Sequence, residues 1–141
     1  MYKIKIITVG KIKENWLLQA LSEYEKRLQS KLKISKKILK DEKALLSAAN
    51  REKKYICLDS RGSSYTSIEF SKKLFKLFED FQSSLTIFIG PDVGLSDQIL
   101  KNASHIISLS KMTFTHQMVR LILFEQIYRA FEIEKGSSYH K

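Results

Sequence analysis

Two stretches of this chain place small, hydroxyl-bearing and charged residues directly after short apolar runs. They are Gly90-Pro91-Asp92-Val93-Gly94-Leu95 and Leu109-Ser110-Lys111-Met112-Thr113-Phe114-Thr115. A third, residues 58–64, reads Leu58-Asp59-Ser60-Arg61-Gly62-Ser63-Ser64. Glycine lets the main chain approach a ligand closely and leaves amide groups free to donate. Gly90 and Gly94 are therefore candidate ligand contacts. Taken singly, each is equally well explained as a residue that ends a strand and shapes a turn. Several chemistries are disfavoured. Neither Gly-x-x-x-x-Gly-Lys-Ser/Thr nor Gly-x-Gly-x-x-Gly occurs, which argues against a phosphate-binding loop. His105, His116 and His140 are scattered and Cys57 is the one cysteine, so no zinc spacing and no internal disulfide is expected. No nucleophile-elbow motif is present. By elimination, the three loops should hold a ligand through backbone groups and without a metal.

These loops need elements to position them. Residues 3–9 read as a strand stopped by Gly10, and 14–28 as an amphipathic helix with Leu17, Ala20, Leu21, Tyr24 and Leu28 on one face. A second strand is expected over 32–39 and a polar helix over 41–53. Tyr55-Ile56-Cys57-Leu58 reads as a short buried strand that ends in a loop over 59–64. Thr66 or Ser67 can cap the next helix, which runs to about Phe81 with Phe70, Leu74, Leu77, Phe78 and Phe81 inward. Leu85–Ile89 and His105–Leu109 read as strands, with Ser96 capping a short helix, 97–103, between them. A long helix covers about 116–134. Alternating strands and helices predict an α/β fold with a mainly parallel sheet and helices on both faces. In open parallel sheets, ligands bind beyond the carboxyl ends of the strands. Loops 58–64, 90–95 and 109–115 therefore converge on one pocket if their strands are neighbours.

The last helix is apolar around most of its circumference, from Met118, Val119 and Leu121 to Phe131 and Ile133. Such a helix is buried on all sides, which a chain of 141 residues has little room to do alone. A two-fold homodimer is the simplest arrangement that covers it. The length suits a single domain, 1–141, and 43% apolar with 28% charged residues is ordinary globular composition. No run of eighteen apolar residues occurs, so no membrane span is expected. Met1–Ile7 is too short and too interrupted by lysine for a signal peptide, so the expected location is cytoplasmic. The net charge of +10 is lopsided. Residues 1–54 hold 15 basic and 6 acidic residues, whereas 55–141 hold 10 and 9. Polyanion attraction by the first third is the first expectation, against a lysine-rich face kept for solubility.

Three segments carry a resemblance. They are Phe88-Ile89-Gly90 with Gly94-Leu95-Ser96; the run from Leu109 through His116 to Arg120; and Glu125–Phe131 with the terminal Tyr139-His140-Lys141. Val9-Gly10-Lys11 and Glu23–Leu28 match as well. The chain closely resembles the RlmH family, bacterial large-subunit (23S) rRNA pseudouridine N3 methyltransferases of the SPOUT, or α/β-knot, class. The resemblance covers nearly the whole chain, densely in 105–141 and more loosely in 29–70. It implies S-adenosylmethionine as methyl donor, a homodimer, a ribosomal substrate and a C-terminal trefoil knot that forms the donor site. It places donor contacts at Leu58, Gly90 and the run Leu109, Ser110, Lys111, Met112, Thr113 and Phe114, with Gly94 in the glycine loop. These are the three loops that the strand-end argument selects. Two positions depart from the family pattern. Pro91 stands where a second glycine is usual and removes an N–H, and Thr115 stands where proline often precedes the helix.

For such a reaction the N3 proton must be lost, which calls for a base or a nearby cation. The resemblance then implies His140 as the titratable group of the tail, Tyr139 as a stacking or hydrogen-bonding partner of the base, and Arg129 as a substrate contact preferred over Arg120. Arg120 and Arg129 point to opposite faces of the last helix, Glu125 and Arg129 stand i,i+4, and His116 is read as structural. The basic first third would grip rRNA phosphates. Alternatives are a non-catalytic RNA- or ribosome-binding protein with a degenerate donor pocket, suggested by Pro91, and a related methyltransferase acting on tRNA. A small nucleotide-binding module is a weaker alternative.

Overall fold

The computed structural model describes residues 1–141. In chain order its elements are β1 (Tyr2–Val9), α1 (Asn15–Leu28), β2 (Leu32–Leu39), α2 (Glu42–Arg51), β3 (Ile56–Ser64), α3 (Ser67–Asp80), β4 (Ser84–Ile89), α4 (Asp97–Asn102), β5 (His105–Ser108) and α5 (His116–Lys135). The five strands form one sheet of order β2-β1-β4-β3-β5, and every pairing is parallel. The expected parallel α/β layering is found, with helices on both faces.

Strand alternation sorts the core. Ile4, Ile6, Ile56, Leu58, Leu85, Ile87 and Ile89 point to one face, where α1, α3 and α5 cover them. Ile7, Cys57 and Phe88 point to the other, under Leu45, Ala48 and Ala49 of α2 and Ile99 and Leu100 of α4. At the amino end of the first face, Tyr2, Phe75, Phe78 and Phe131 pack with ring centroids 4.5–6.3 Å apart, mostly edge to face. Local chemistry fixes the helix starts. Thr66 forms a reciprocal capping box with Glu69, while Ser96 and Thr115 accept from the amides of Ile99 and Met118. Asp41 caps α2 through the Ala44 amide.

One segment departs from the sequence expectation. The loop expected over 59–64 lies inside β3, which continues to Ser64. Leu58 and Ser63 both pair with Ile107 of β5, so residues 59–62 arch out and the strand then resumes. The polar run hides this strand because it lies beyond the apolar core, and its pairing is set by β5, more than forty residues away. Gly62 makes the return possible. A Cβ there would lie 2.5 Å from the carbonyl carbon and oxygen of Ile106. Gly62→Ala is therefore expected to destabilise the fold by about 2 kcal/mol or more through overpacking against a main chain that cannot yield. Denaturant unfolding reads the loss, and an unchanged midpoint would contradict the close approach.

Candidate donor site at the carboxyl ends of the strands

Because β4, β3 and β5 are neighbours, the segments that follow or extend them meet beyond the sheet. Together they enclose a cavity of about 140 Å³. Its walls include Leu58, Gly90, Gly94, Leu109, Ser110, Met112, Thr113 and Phe114 of the expected residues, together with Pro91. Lys111 is exposed and not part of the wall. The convergence deduced from strand ends is thus present in the fold.

A buried carboxylate joins two of the walls. The Asp59 side chain is 2% exposed. It accepts from the Arg61 backbone N–H at 3.0 Å, from Arg61 Nε at 2.8 Å and Nη2 at 3.0 Å, and from the Leu95 amide at 3.0 Å. Arg61 Nη2 also donates to the Leu95 carbonyl at 2.7 Å. Burial raises the Asp59 carboxyl pKa, but the bonds from Arg61 and Leu95 and the guanidinium charge outweigh it and hold the group below its usual range. Gly94 sits against this clamp with φ of +89°, and a Cβ there would lie 3.0 Å from both Arg61 Nη2 and Asp59 Oδ2. The Gly94 amide donates to the Pro91 carbonyl at 2.8 Å, closing a turn across Asp92 and Val93.

The third wall is shaped by hydroxyls. Ser108 Oγ donates to the Ser110 carbonyl at 2.9 Å, and Ser110 Oγ accepts from the Met112 amide at 2.9 Å. The backbone N–H groups of Lys111, Thr113 and Phe114 donate to nothing within the chain. Asp92 pins the glycine turn to the start of α5. Its Oδ1 lies 3.0 Å from the His116 amide and 2.8 Å from His116 Nδ1, which holds the Asp92 carboxyl below its usual range. His116 opens α5, as expected, and also lines the cavity. Arg120 is buried, and its Nη2 donates to the carbonyls of Val9 at 2.8 Å and Gly10 at 2.7 Å. That guanidinium ties α5 to the end of β1.

Arg129, Tyr139 and His140 are brought together, but not at the cavity. Glu125, whose role the sequence showed only as an i,i+4 partner, is their hub. It accepts from Arg129 Nε at 3.1 Å and Nη2 at 3.2 Å, and from the Tyr139 hydroxyl at 2.9 Å. Arg129 stacks over the Tyr139 ring at 4.8 Å, and its Nη1 lies 3.0 Å from His140 Nδ1. Burial and the Glu125 carboxylate push the Tyr139 phenol up to about 12. Val119 is a wall of the cavity, and Arg129 lies ten residues further along α5, about 15 Å by helical rise. Sequence reasoning missed Asp59, Arg61 and Asp92. Asp59 and Arg61 stand two apart and carried a local signal, whereas the partner of Asp92 is 24 residues away.

Cys57 is fully buried and its thiol is pushed up to about 12, chiefly by burial. No group of three or more His, Cys, Asp or Glu side chains is placed to hold a metal, and no helix is long and apolar enough to cross a membrane.

Over residues 2–140 the chain matches the family described as "Predicted SPOUT methyltransferase". It is 50% identical over 141 residues to a protein named ribosomal RNA large subunit methyltransferase H from Protochlamydia amoebophila, covering 100% of each chain. It is 39% identical to the protein of that name from Enterococcus faecalis over 158 aligned positions, covering 99% of each. Among solved structures, a probable methylase family protein from Haemophilus influenzae superposes with a TM-score of 0.62 at 10% identity, over 98% of this chain and 70% of that one. A probable methyltransferase from Bordetella pertussis superposes at 0.56 and 8% identity, over 92% and 96%. At those identities the likeness concerns the fold.

The clamp makes a pH-dependent prediction. Asp59→Asn is expected to cost about 1–3 kcal/mol near neutral pH, because the buried Leu95 amide and the Arg61 guanidinium lose a charged acceptor. The folded carboxyl titrates below its unfolded value near 4, so its contribution is complete above that value and fades as pH falls through the folded one. Wild type and variant should therefore converge in stability below about pH 4 in denaturant titrations. A constant gap down to pH 2 would refute the linkage.

Proposed function

The chain belongs to the SPOUT methyltransferase family, and from that membership we propose that it transfers a methyl group from S-adenosylmethionine to N3 of a pseudouridine in large-subunit ribosomal RNA, on the assembled ribosome. The observation that carries the reading is the meeting of three loops in one cavity whose third wall offers uncommitted backbone N–H groups. Those groups, and the close main-chain approach at Gly90 and Gly94, suit a ligand recognised through backbone. Leu58, Leu109 and Phe114 supply apolar surface for a purine ring, and the Ser110–Phe114 segment supplies donors. The bound donor supplies an electrophilic methyl carbon on a sulfonium. The protein's own work is to hold that carbon in line with the acceptor nitrogen, where positioning contributes up to roughly 7–11 kcal/mol in ideal cases.

The N3 proton falls to the tail. Arg129 stays cationic under its bidentate pairing with Glu125 and lowers the cost of the developing anion. His140 becomes a proton acceptor at Nδ1 once substrate draws it away from Arg129. Tyr139, with its phenol pushed up to about 12, stacks or donates rather than ionising. Since this cluster lies along α5 from the cavity, a homodimer supplies the missing half: the tail of one protomer serves the cavity of its partner. The half-buried Met118, Leu121 and Ile122 on α5, beside the exposed Trp16 and Leu18 on α1, give that interface its apolar surface. A trefoil knot is part of the same proposal. It is consistent with β5 lying outside β3 while the following chain returns to dock α5 against α1 and α3.

A second reading, an RNA-binding protein with a degenerate donor pocket, is favoured by Pro91 in the cavity wall. Calorimetry with S-adenosylmethionine separates the two, since that reading expects no heat of binding. Mass spectrometry of large-subunit rRNA from cells lacking this chain tests the reaction, and unchanged methylation at the pseudouridine would reject it. His140→Ala should leave donor affinity intact and lower turnover by about 100-fold or more in single-turnover assays on ribosomes. Full turnover would remove His140 from the mechanism. Sedimentation should give a dimer that Leu121→Glu disperses.

A further inference from the structure

Parallel sheets are ordinarily covered on both faces. Here the second face is covered only over its carboxyl half, by α2 and α4 packed on Ile7, Cys57 and Phe88. The amino-terminal corner formed by β2, β1 and β4 has no helix above it. It is a shallow groove of about 460 Å³ floored by Lys3, Lys5, Lys33, Ser35, Ser84 and Thr86. The register sets these side chains in rows: Lys33 beside Lys3 beside Ser84, then Ser35 beside Lys5 beside Thr86.

Two features separate this corner from an ordinary solvated surface. Lys3 and Lys33 face each other on adjacent strands about 4.8 Å apart, a like-charge pair that weakens a sheet unless an anion lies between them. Neither makes an ion pair within the chain. The one acidic side chain in the groove, Glu52, is held by Lys5 and lies 3.4 Å from Thr86 Oγ1. Lysines on an edge strand are a common guard against strand addition, and that accounts for Lys33 on β2. It does not account for Lys3 and Lys5, which stand on β1 inside the sheet.

We propose that this groove binds the phosphodiester backbone of the RNA substrate. The inference rests on the functional reading above and gives it a second contact. Two unpaired ammonium groups flanked by hydroxyl donors suit the oxygens of consecutive phosphates and carry no means of reading a base. Arg51 and Lys53, both exposed, extend the positive rim at the end of α2. The groove lies at the amino ends of the strands and the donor cavity at the carboxyl ends. Along β1 that is about 20 Å, from Lys3 to Val9. The gripped phosphates are therefore several nucleotides from the methylated base, so the bound RNA must be extended or folded on that scale. The face that carries α1 and α5 remains free for a second protomer.

The test uses the full chain with Lys3→Gln/Lys33→Gln, both exposed positions, against Lys72→Gln/Lys101→Gln, which removes the same charge from exposed positions of α3 and α4. Affinity for purified large-subunit rRNA and for ribosomes is measured from 50 to 300 mM salt. The groove variant should bind about tenfold more weakly at physiological salt, with the slope of log affinity against log salt reduced by about 1.5. KM for ribosomes should rise with kcat unchanged, and donor affinity measured by calorimetry should not move. Equal losses in both variants, or none in the groove variant, would overturn the groove. So would retained RNA affinity with lost affinity for free inorganic polyphosphate alone. A wild-type chain that binds rRNA through these lysines yet takes up no S-adenosylmethionine would overturn the functional reading and leave the groove standing.

Discussion

The cavity depends on one buried carboxylate. Asp59 lies beyond the last apolar residue of β3, and its four accepted bonds come from Arg61 and from Leu95. Those bonds stop the arch of residues 59–62 from collapsing into the cavity and fix where the glycine turn ends. Burying a carboxylate is costly unless its lone pairs are used. Here they are used by groups on the two walls that must be held apart, so the electrostatic requirement and the shape of the site are one constraint. Gly94 answers to the same geometry, since a side chain there would strike both partners of the ion pair.

Around that clamp the ends of the sheet divide the work. The carboxyl ends present backbone, glycine and hydroxyl groups with little net charge on the walls. The amino ends present lysines over an open corner. A sulfonium-bearing ligand gains nothing from a lysine-lined pocket, whereas an RNA backbone needs one. On the proposed function, that separation of about 20 Å keeps a sulfonium-bearing donor away from the lysines that would grip RNA.

The long helix links these parts. α5 buries Leu123, Phe124, Ile127, Ala130 and Phe131 against the sheet, and Arg120 ties its first turns to β1. His116 and Asp92 join its start to the glycine turn. Its other side carries Glu125 and Arg129, on which the tail folds back. A single element thus carries both a wall of the cavity and the Glu125–Arg129 pair on which the tail rests.

Much of this was legible in the chain itself. Apolar runs such as Leu85–Ile89, and helix caps such as Thr66, Ser96 and Thr115, are local, so the elements and the parallel layering follow from spacing alone. The resemblance located the loop residues, and strand-end geometry chose the same loops. The extension of β3 to Ser64 was not legible, because polar residues there pair with β5 for reasons that lie in another segment. Nor was the fate of the two arginines: helical spacing put Arg120 and Arg129 on opposite faces, but only packing against β1 decided which was buried. The open lysine corner was hidden for a related reason. Sequence gives a charge to each residue, but which strands become neighbours, and where the helix layer stops, is settled only when the sheet is assembled.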